Sequence, residues 1–130
     1  MSKTLAKKTS GKWRRSPEAL VKRFEEITKN LNNIEPRKMF GYPCAFCNGH
    51  LFVGLHQENM VLKLDDDDRD EFFKKYRSRP FEPMAGRIMR EYVMLPQEVI
   101  ASDKPMKEWL QRSLAYVKSL PPKIAKKKSR

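Results

Sequence analysis

The dipeptide Asn48-Gly49 lies between two short apolar runs, and it constrains the fold more than any other feature of the sequence. Asn-Gly is the preferred pair for a two-residue hairpin turn, because both residues tolerate positive φ angles. Residues 44–47 and 50–56 are therefore predicted to be antiparallel strands. Alternation in the second strand predicts one face carrying Leu51, Val53 and Leu55, and an opposite face carrying His50, Phe52 and Gly54.

Three segments show the apolar spacing of amphipathic helices. The first is predicted to begin at Ser16, an N-cap followed by a proline, and to end at Pro36. The second covers about 66–77. The third follows an N-cap at Asp103 and ends at Leu120, before two prolines.

The remaining strands complete the predicted fold. A meander of about three strands is predicted from four strand candidates, residues 37–40, 44–47, 50–56 and 60–64. After the second helix, residues 80–83 are predicted to form a loop or a short edge strand, and residues 87–95 a final strand. The order is one helix, three strands, a helix, one or two strands and a helix. It predicts an α+β domain in which three helices pack on one antiparallel sheet of four to five strands.

Basic residues are concentrated at the two ends of the 130-residue chain. Of 28 basic residues, six lie in 1–15 and five in 123–130, whereas the remaining 17 accompany all 16 acidic residues. We therefore expect a nearly neutral single domain at 16–122 between a disordered basic arm and a disordered basic tail. Weak contact with nucleic acid would come from the ends, through Lys7, Lys8, Lys12, Arg14, Arg15, Lys126, Lys127 and Lys128.

The sequence favours a cytoplasmic location. It contains no apolar stretch of the ~18 residues that a membrane span requires. The basic N-terminus is not followed by the apolar region of a secretory signal. Two cysteines cannot form the disulfide framework of a secreted scaffold, so a reducing compartment is the simpler interpretation.

Cys44 and Cys47 have the spacing of a redox or zinc motif, but their position on a predicted strand argues against both. Residues three apart on a strand are about 10 Å apart and face opposite ways. We therefore expect no disulfide, no metal and no cofactor. His50 and His56 are interpreted as surface polar groups, since no nucleophile is placed beside them. The four aspartates at 65–68 are interpreted as a helix cap, because the glycine and glutamate of a calcium loop are missing.

The segment from residue 79 to 92 is the most unusual part of the sequence, with several arginines, prolines and an aromatic residue. One interpretation is a loop held by pairs of Arg90 with Glu91 or Glu82. The other is a site for a partner or an anion. Its candidate residues are Arg79, Arg87, Arg90, Tyr92 and His50.

Three motifs, taken together, resemble one known family. They are residues 37–56 (RKMFGYPCAFCNGHLFVGLH), residues 79–92 (RPFEPMAGRIMREY), and the C-terminal helix from Trp109 through Leu114-Ala-Tyr to Leu120-Pro-Pro-Lys123. In this order they are similar to the N-terminal domain of the TfoX/Sxy family, bacterial regulators of natural competence. The resemblance covers about 17–123.

The resemblance implies a small α+β domain of the kind also seen in YjbR-like and secretion-chaperone-like folds. Full-length regulators of this type carry a second, DNA-binding domain and act with the cyclic-AMP receptor protein. This chain ends at Arg130, so we expect a stand-alone form of the first domain. The family supplies no catalytic residues, and the expected function is a non-enzymatic regulatory or adaptor domain that contacts a protein partner. Exposed sheet edges are compatible with a dimer. The alternative is a small-ligand-binding or enzymatic domain that uses residues 79–92.

Overall fold

Ten helices and strands follow one another in residues 15–122, the part of the chain that this computed structural model describes. The strands are β1 (Glu35–Met39), β2 (Tyr42–Cys47), β3 (His50–His56), β4 (Asn59–Lys63), β5 (Pro80–Met84) and β6 (Arg87–Met94). The helices are α1 (Glu18–Thr28), α2 (Asp66–Lys75), α3 (Gln97–Ile100) and α4 (Asp103–Ser119). The predicted arm and tail lie outside the described residues, except for Arg15, which is exposed.

The strands form one sheet in the order β1-β2-β3-β4-β6-β5, in which every neighbouring pair is antiparallel. The predicted α+β class is confirmed. The sheet has six strands rather than four to five, because all four segments of the meander are strands and residues 80–84 pair as an edge. The fourth helix, α3, has only four residues, which is too short to show a helical period in the sequence.

Prolines mark both edges of the sheet. Pro36 lies inside β1, and Pro80 and Pro83 lie inside β5. Proline lacks a backbone N–H, so it is tolerated at an edge, where one side of the strand has no partner. Pro36 therefore does not end a helix as predicted, but belongs to the first strand.

The first helix is shorter than predicted. It ends at Thr28, whose hydroxyl donates to the carbonyl of Phe24 at 2.8 Å. Asn33 then takes a positive φ of 63°, which turns the chain toward β1. Ser16 is not the N-cap, because Pro17 occupies that position and the Ser16 hydroxyl is buried without a hydrogen-bond partner.

The turn between β2 and β3 has the predicted geometry. Asn48 and Gly49 have φ angles of 56° and 79°, as a type I′ turn requires. The predicted alternation along β3 holds for Val53, Gly54 and Leu55 but is wrong for Leu51 and Phe52. Ala45 pairs with Val53 and Phe46 pairs with Leu51, so Phe52 is an extra residue in a β-bulge. Phe52 and Val53 are therefore both in the helix-side core, whereas Leu51 packs in a cluster on the other face.

The helices cover one face of the sheet. α1 contacts β2 and β3, α2 contacts β6, and α4 crosses β2, β3 and β4. The fully buried Trp109 of α4 lies at the centre of this layer, where its ring meets the ring of Phe72 edge-on at 5.0 Å. Ser113, one turn later, donates its hydroxyl to the carbonyl of Phe52 at 3.3 Å. No helix among residues 15–122 is long and apolar enough to cross a membrane.

The N-terminus of α4 differs in detail from the prediction. Ser102, not Asp103, occupies the N-cap position, and its side chain makes no capping bond. The carboxylate of Asp103 instead lies 3.0 Å from the guanidinium of Arg23 on α1. This ion pair joins the N-terminal end of α4 to α1.

The aspartate run caps α2 as predicted. Asp65 is the N-cap, and its carboxylate accepts a hydrogen bond of 2.8 Å from the backbone N–H of Asp68. Replacing Asp65 by alanine is expected to lower the free energy of unfolding by about 1 kcal/mol, since the backbone N–H of Asp68 in the first turn of α2 loses its acceptor. Urea denaturation measures this change. Asp67→Ala, in the exposed first turn, is the matched control, and an equal loss in both variants would contradict the capping role.

Candidate functional site

The face of the sheet opposite the helices carries an apolar groove of about 640 Å³. Its floor follows from the strand register, which aligns Cys44, Gly54 and Val61 across β2, β3 and β4. Gly54 has no side chain, and a Cβ built there would lie only 3.0 Å from the Cβ of Cys44. The missing side chain therefore gives the groove its depth at this point.

Two hairpins form the walls of the groove. On one side, the turn between β1 and β2 presents Phe40, which has a positive φ of 55° and a side chain that is 79% exposed. On the other side, the β5–β6 hairpin contributes Met84, 59% exposed, and Met89. We call Phe40, Met84 and Met89 the apolar rim. Exposed apolar side chains that gather around one concavity are typical of interaction sites.

The polar side chains inside the groove are already engaged or neutral. The Tyr92 hydroxyl donates to the carbonyl of Leu51 at 3.1 Å, and burial raises the pKa of Tyr92 well above its usual value. The His56 ring lies between the rings of Tyr42 and Phe81, at 5.3 Å and 5.2 Å. Burial lowers the pKa of His56 and raises the pKa of the Cys44 thiol. At neutral pH these groups therefore favour their uncharged forms.

Among residues 15–122, Arg87 is the one arginine or lysine that lines the groove, and no aspartate or glutamate of this part of the chain lines it. The guanidinium of Arg87 has no carboxylate partner among residues 15–122. The site is thus an apolar concavity with a positive charge at its margin.

The structure brings two of the candidate residues, Arg87 and Tyr92, into this groove. His50 lies at the first position of β3, where its Nε2 is 2.8 Å from the carbonyl oxygen of Pro121. Arg79 precedes β5 and lines a separate cleft of about 380 Å³. The backbone carbonyl of Arg90 accepts a hydrogen bond from Arg69. The groove therefore does not join Arg87 to His50, Arg79 or Arg90.

The ion pairs predicted within the segment do not form. Glu91 pairs with Lys63 of β4 at 2.6 Å rather than with Arg90. The carboxylate of Glu82 accepts from the backbone N–H of Gly86 at 2.7 Å, closing the β5–β6 turn. The hairpin is held by turn geometry and strand pairing, so its arginine side chains are not neutralised by its glutamates.

Cys44 and Cys47 are both free and buried, and they face opposite sides of the sheet as predicted from strand periodicity. Cys47 is in the helix-side core, whereas Cys44 lies in the groove. Within residues 15–122, no group of three or more histidine, cysteine or acidic side chains is placed to hold a metal ion.

Most of the groove-lining residues were predicted from the sequence only as parts of turns and strands. Outside residues 79–92, this set comprises Met39, Phe40, Tyr42, Cys44, Leu51, Gly54, Leu55, His56 and Val61. One signal was available: a glycine inside a strand, such as Gly54, often marks close approach of another group. The rest of the groove depends on which strands are neighbours.

The pH dependence of stability tests the environment of His56. Because the pKa of His56 is lowered from 6.5 in the folded protein, the unfolded chain binds more protons than the folded protein as the pH falls through the unfolded pKa. The stability contributed by neutral His56 is fully present above the unfolded pKa and decreases toward the folded pKa. We expect the thermal midpoint to fall between about pH 7.5 and 5.5. His56→Asn should flatten this fall and His50→Asn should preserve it; the reverse pattern would contradict the assignment.

Comparison with known families adds one positive match. The family model described as TfoX N-terminal domain matches residues 26–117, which include every strand of the sheet and the whole groove. No curated protein sequence gives a significant match. The family match covers well over half of the 130 residues, and it agrees with the three motifs in the sequence. The chain belongs to the TfoX N-terminal domain family.

Proposed function

We propose that this protein is a non-enzymatic regulatory or adaptor domain that acts mainly through contacts with a protein partner. The family is one of competence-regulator-like domains, which supports a regulatory role in transcription in a bacterial cytoplasm. The observation that carries the proposal is the exposed apolar rim on the open face of the sheet. Large apolar side chains are costly to leave in water, and their clustering is typical of protein-contact surfaces.

The distribution of charge supports a domain that contacts protein and basic ends that contact nucleic acid. Residues 16–122 are nearly neutral, with 17 basic and 16 acidic residues. A neutral domain provides little long-range attraction for a polyanion. The basic residues at 1–15 and 123–130 therefore supply the weak affinity for nucleic acid that we propose, and that affinity should decrease steeply as salt neutralises phosphate contacts.

The protein contact is tested by affinity capture from a host lysate, with quantitative mass spectrometry. The wild-type chain is compared with a rim variant, Phe40→Ser combined with Met84→Ser. Ile88→Ser is the matched control, because Ile88 is an exposed apolar residue of the same hairpin outside the groove lining. The proposal predicts a protein retained by wild type and Ile88→Ser but lost from the rim variant. Retention that is equal in all three would overturn it.

The nucleic-acid contact is tested separately by fluorescence anisotropy with a labelled duplex at several salt concentrations. We expect the full chain to bind weakly, and residues 16–122 alone to bind little. Salt-dependent binding that persists without the two ends would place a nucleic-acid face on the domain and contradict the proposed role of the ends.

A further inference from the structure

We propose that the groove is a binding site for a small amphipathic anion: a molecule with an apolar body and a carboxylate at one end. This inference does not depend on the proposed protein contact, because it concerns the interior of the groove and is tested on purified protein alone. The volume of about 640 Å³ is in the range of small-molecule sites, which extends from roughly 300 to 1,000 Å³.

The interior of the groove matches an apolar body. Its floor is formed by Cys44, Gly54 and Val61 on three neighbouring strands, and Phe81 of β5 adds an aromatic wall. The thiol and imidazole in the lining favour their neutral forms, as described above. An apolar ligand would lose water contact there without leaving a charged protein group buried beside it.

The margin of the groove matches an anion. Arg87 lines the site, its guanidinium has no carboxylate partner among residues 15–122, and the lining contains no acidic residue. A guanidinium binds a carboxylate through two parallel hydrogen bonds, which gives it a strong preference for this group. A ligand cation would meet only repulsion from Arg87.

The backbone around the groove argues for a small molecule rather than an inserted polypeptide. A bound peptide must satisfy its own N–H and C=O groups, and extended peptides do so by pairing with a free sheet edge. The groove floor consists of β2, β3 and β4, which are interior strands paired on both sides. The edge strands β1 and β5 at its margins contain prolines, which lack the N–H needed to pair with a peptide. The Tyr92 hydroxyl, which could otherwise serve a peptide, already donates to Leu51. A compact ligand with one polar end makes no such demand.

The test uses the full-length protein with 8-anilinonaphthalene-1-sulfonate as a fluorescent probe, decanoate as a competitor, and 1-decanol as its uncharged counterpart. We expect one saturable probe site per chain, displaced by both competitors, with decanoate preferred. Arg87→Gln should weaken decanoate by about threefold to fivefold, as expected for a partly exposed ion pair, and leave 1-decanol unchanged. Arg90→Gln is the matched control, because Arg90 is on the same strand and does not line the groove.

A second measurement locates the site. Amide chemical shifts recorded during decanoate titration should change most at Gly54 and Val61, and Met89→Glu should weaken decanoate further through like-charge repulsion. The inference is overturned if probe binding is not displaced by decanoate, if Arg87→Gln and Arg90→Gln weaken it equally, or if the shifts change elsewhere. It is also overturned if sedimentation shows a dimer that excludes the probe, because a second copy would then occupy the groove.

Discussion

Replacing Trp109 by alanine is expected to lower the free energy of unfolding by about 4 kcal/mol, in the middle of the range for loss of a buried aromatic side chain. The Trp109 side chain is fully buried and contacts the rings of Phe72 and Tyr76, with the guanidinium of Arg112 at 4.4 Å from its ring. Alanine leaves a large cavity between α4 and α2, which the surrounding helices can fill only in part. Urea denaturation monitored by circular dichroism measures the loss.

Trp109→Phe provides the matched comparison. Because the buried indole Nε1 of Trp109 has no hydrogen-bond partner, phenylalanine removes volume without leaving an acceptor unsatisfied. We expect Trp109→Phe to cost less than half as much as Trp109→Ala. Similar losses in the two variants would indicate that packing at this position is not what stabilises the helix layer.

Replacing Gly54 by valine is expected to lower the free energy of unfolding by about 2–3 kcal/mol, because overpacking a tightly filled site forces neighbouring groups to move. The new Cβ would lie 3.0 Å from the Cβ of Cys44 and 3.7 Å from a methyl group of Leu51. Both neighbours lie on the sheet, whose paired strands limit how far they can move. The same substitution fills the groove floor, so probe binding should also decrease.

A double-mutant cycle with Cys44→Gly isolates this contact. Cys44→Gly removes the atom that the new side chain meets, so the double variant should be more stable than the sum of the single changes by about 1 kcal/mol. The free energies of unfolding of the four proteins give this coupling directly. Additive losses would contradict a direct contact between the two positions.

Several elements could be predicted from the sequence because their signals are local. The Asn48-Gly49 turn, the aspartate cap at Asp65 and the apolar stripe of α4 each depend on residues within a few positions of one another. The α+β class follows from the order of these elements. The bulge at Phe52 could not be predicted, since two adjacent apolar residues, Phe52 and Val53, are compatible with either face until the pairing with β2 is known.

The candidate site was predicted only in part, because the residues that line it are brought together by contacts between strands that are distant in the sequence. Arg87 and Tyr92 stood out by composition and lie in the groove. His50 was grouped with them because histidine is a common functional side chain. It lies at the first position of β3, outside the groove lining, and its ring contacts the carbonyl of Pro121. The other interpretation of the segment, a loop held by pairs of Arg90 with Glu91 or Glu82, is wrong because Glu91 pairs with Lys63 of β4 and Glu82 accepts from the backbone of Gly86.

The sequence by itself determined the family, the class of fold, the hairpin turn and the concentration of basic residues at the two ends of the chain. These properties depend on residue identity and on spacing along the chain. Tertiary structure alone decided that β6 pairs with β4, which adds the β5–β6 hairpin to the sheet beside β4. That long-range pairing places Arg87 and Phe81 in the lining of the same groove as Gly54, and it is governed by burial of the whole helix-side core rather than by any local pattern.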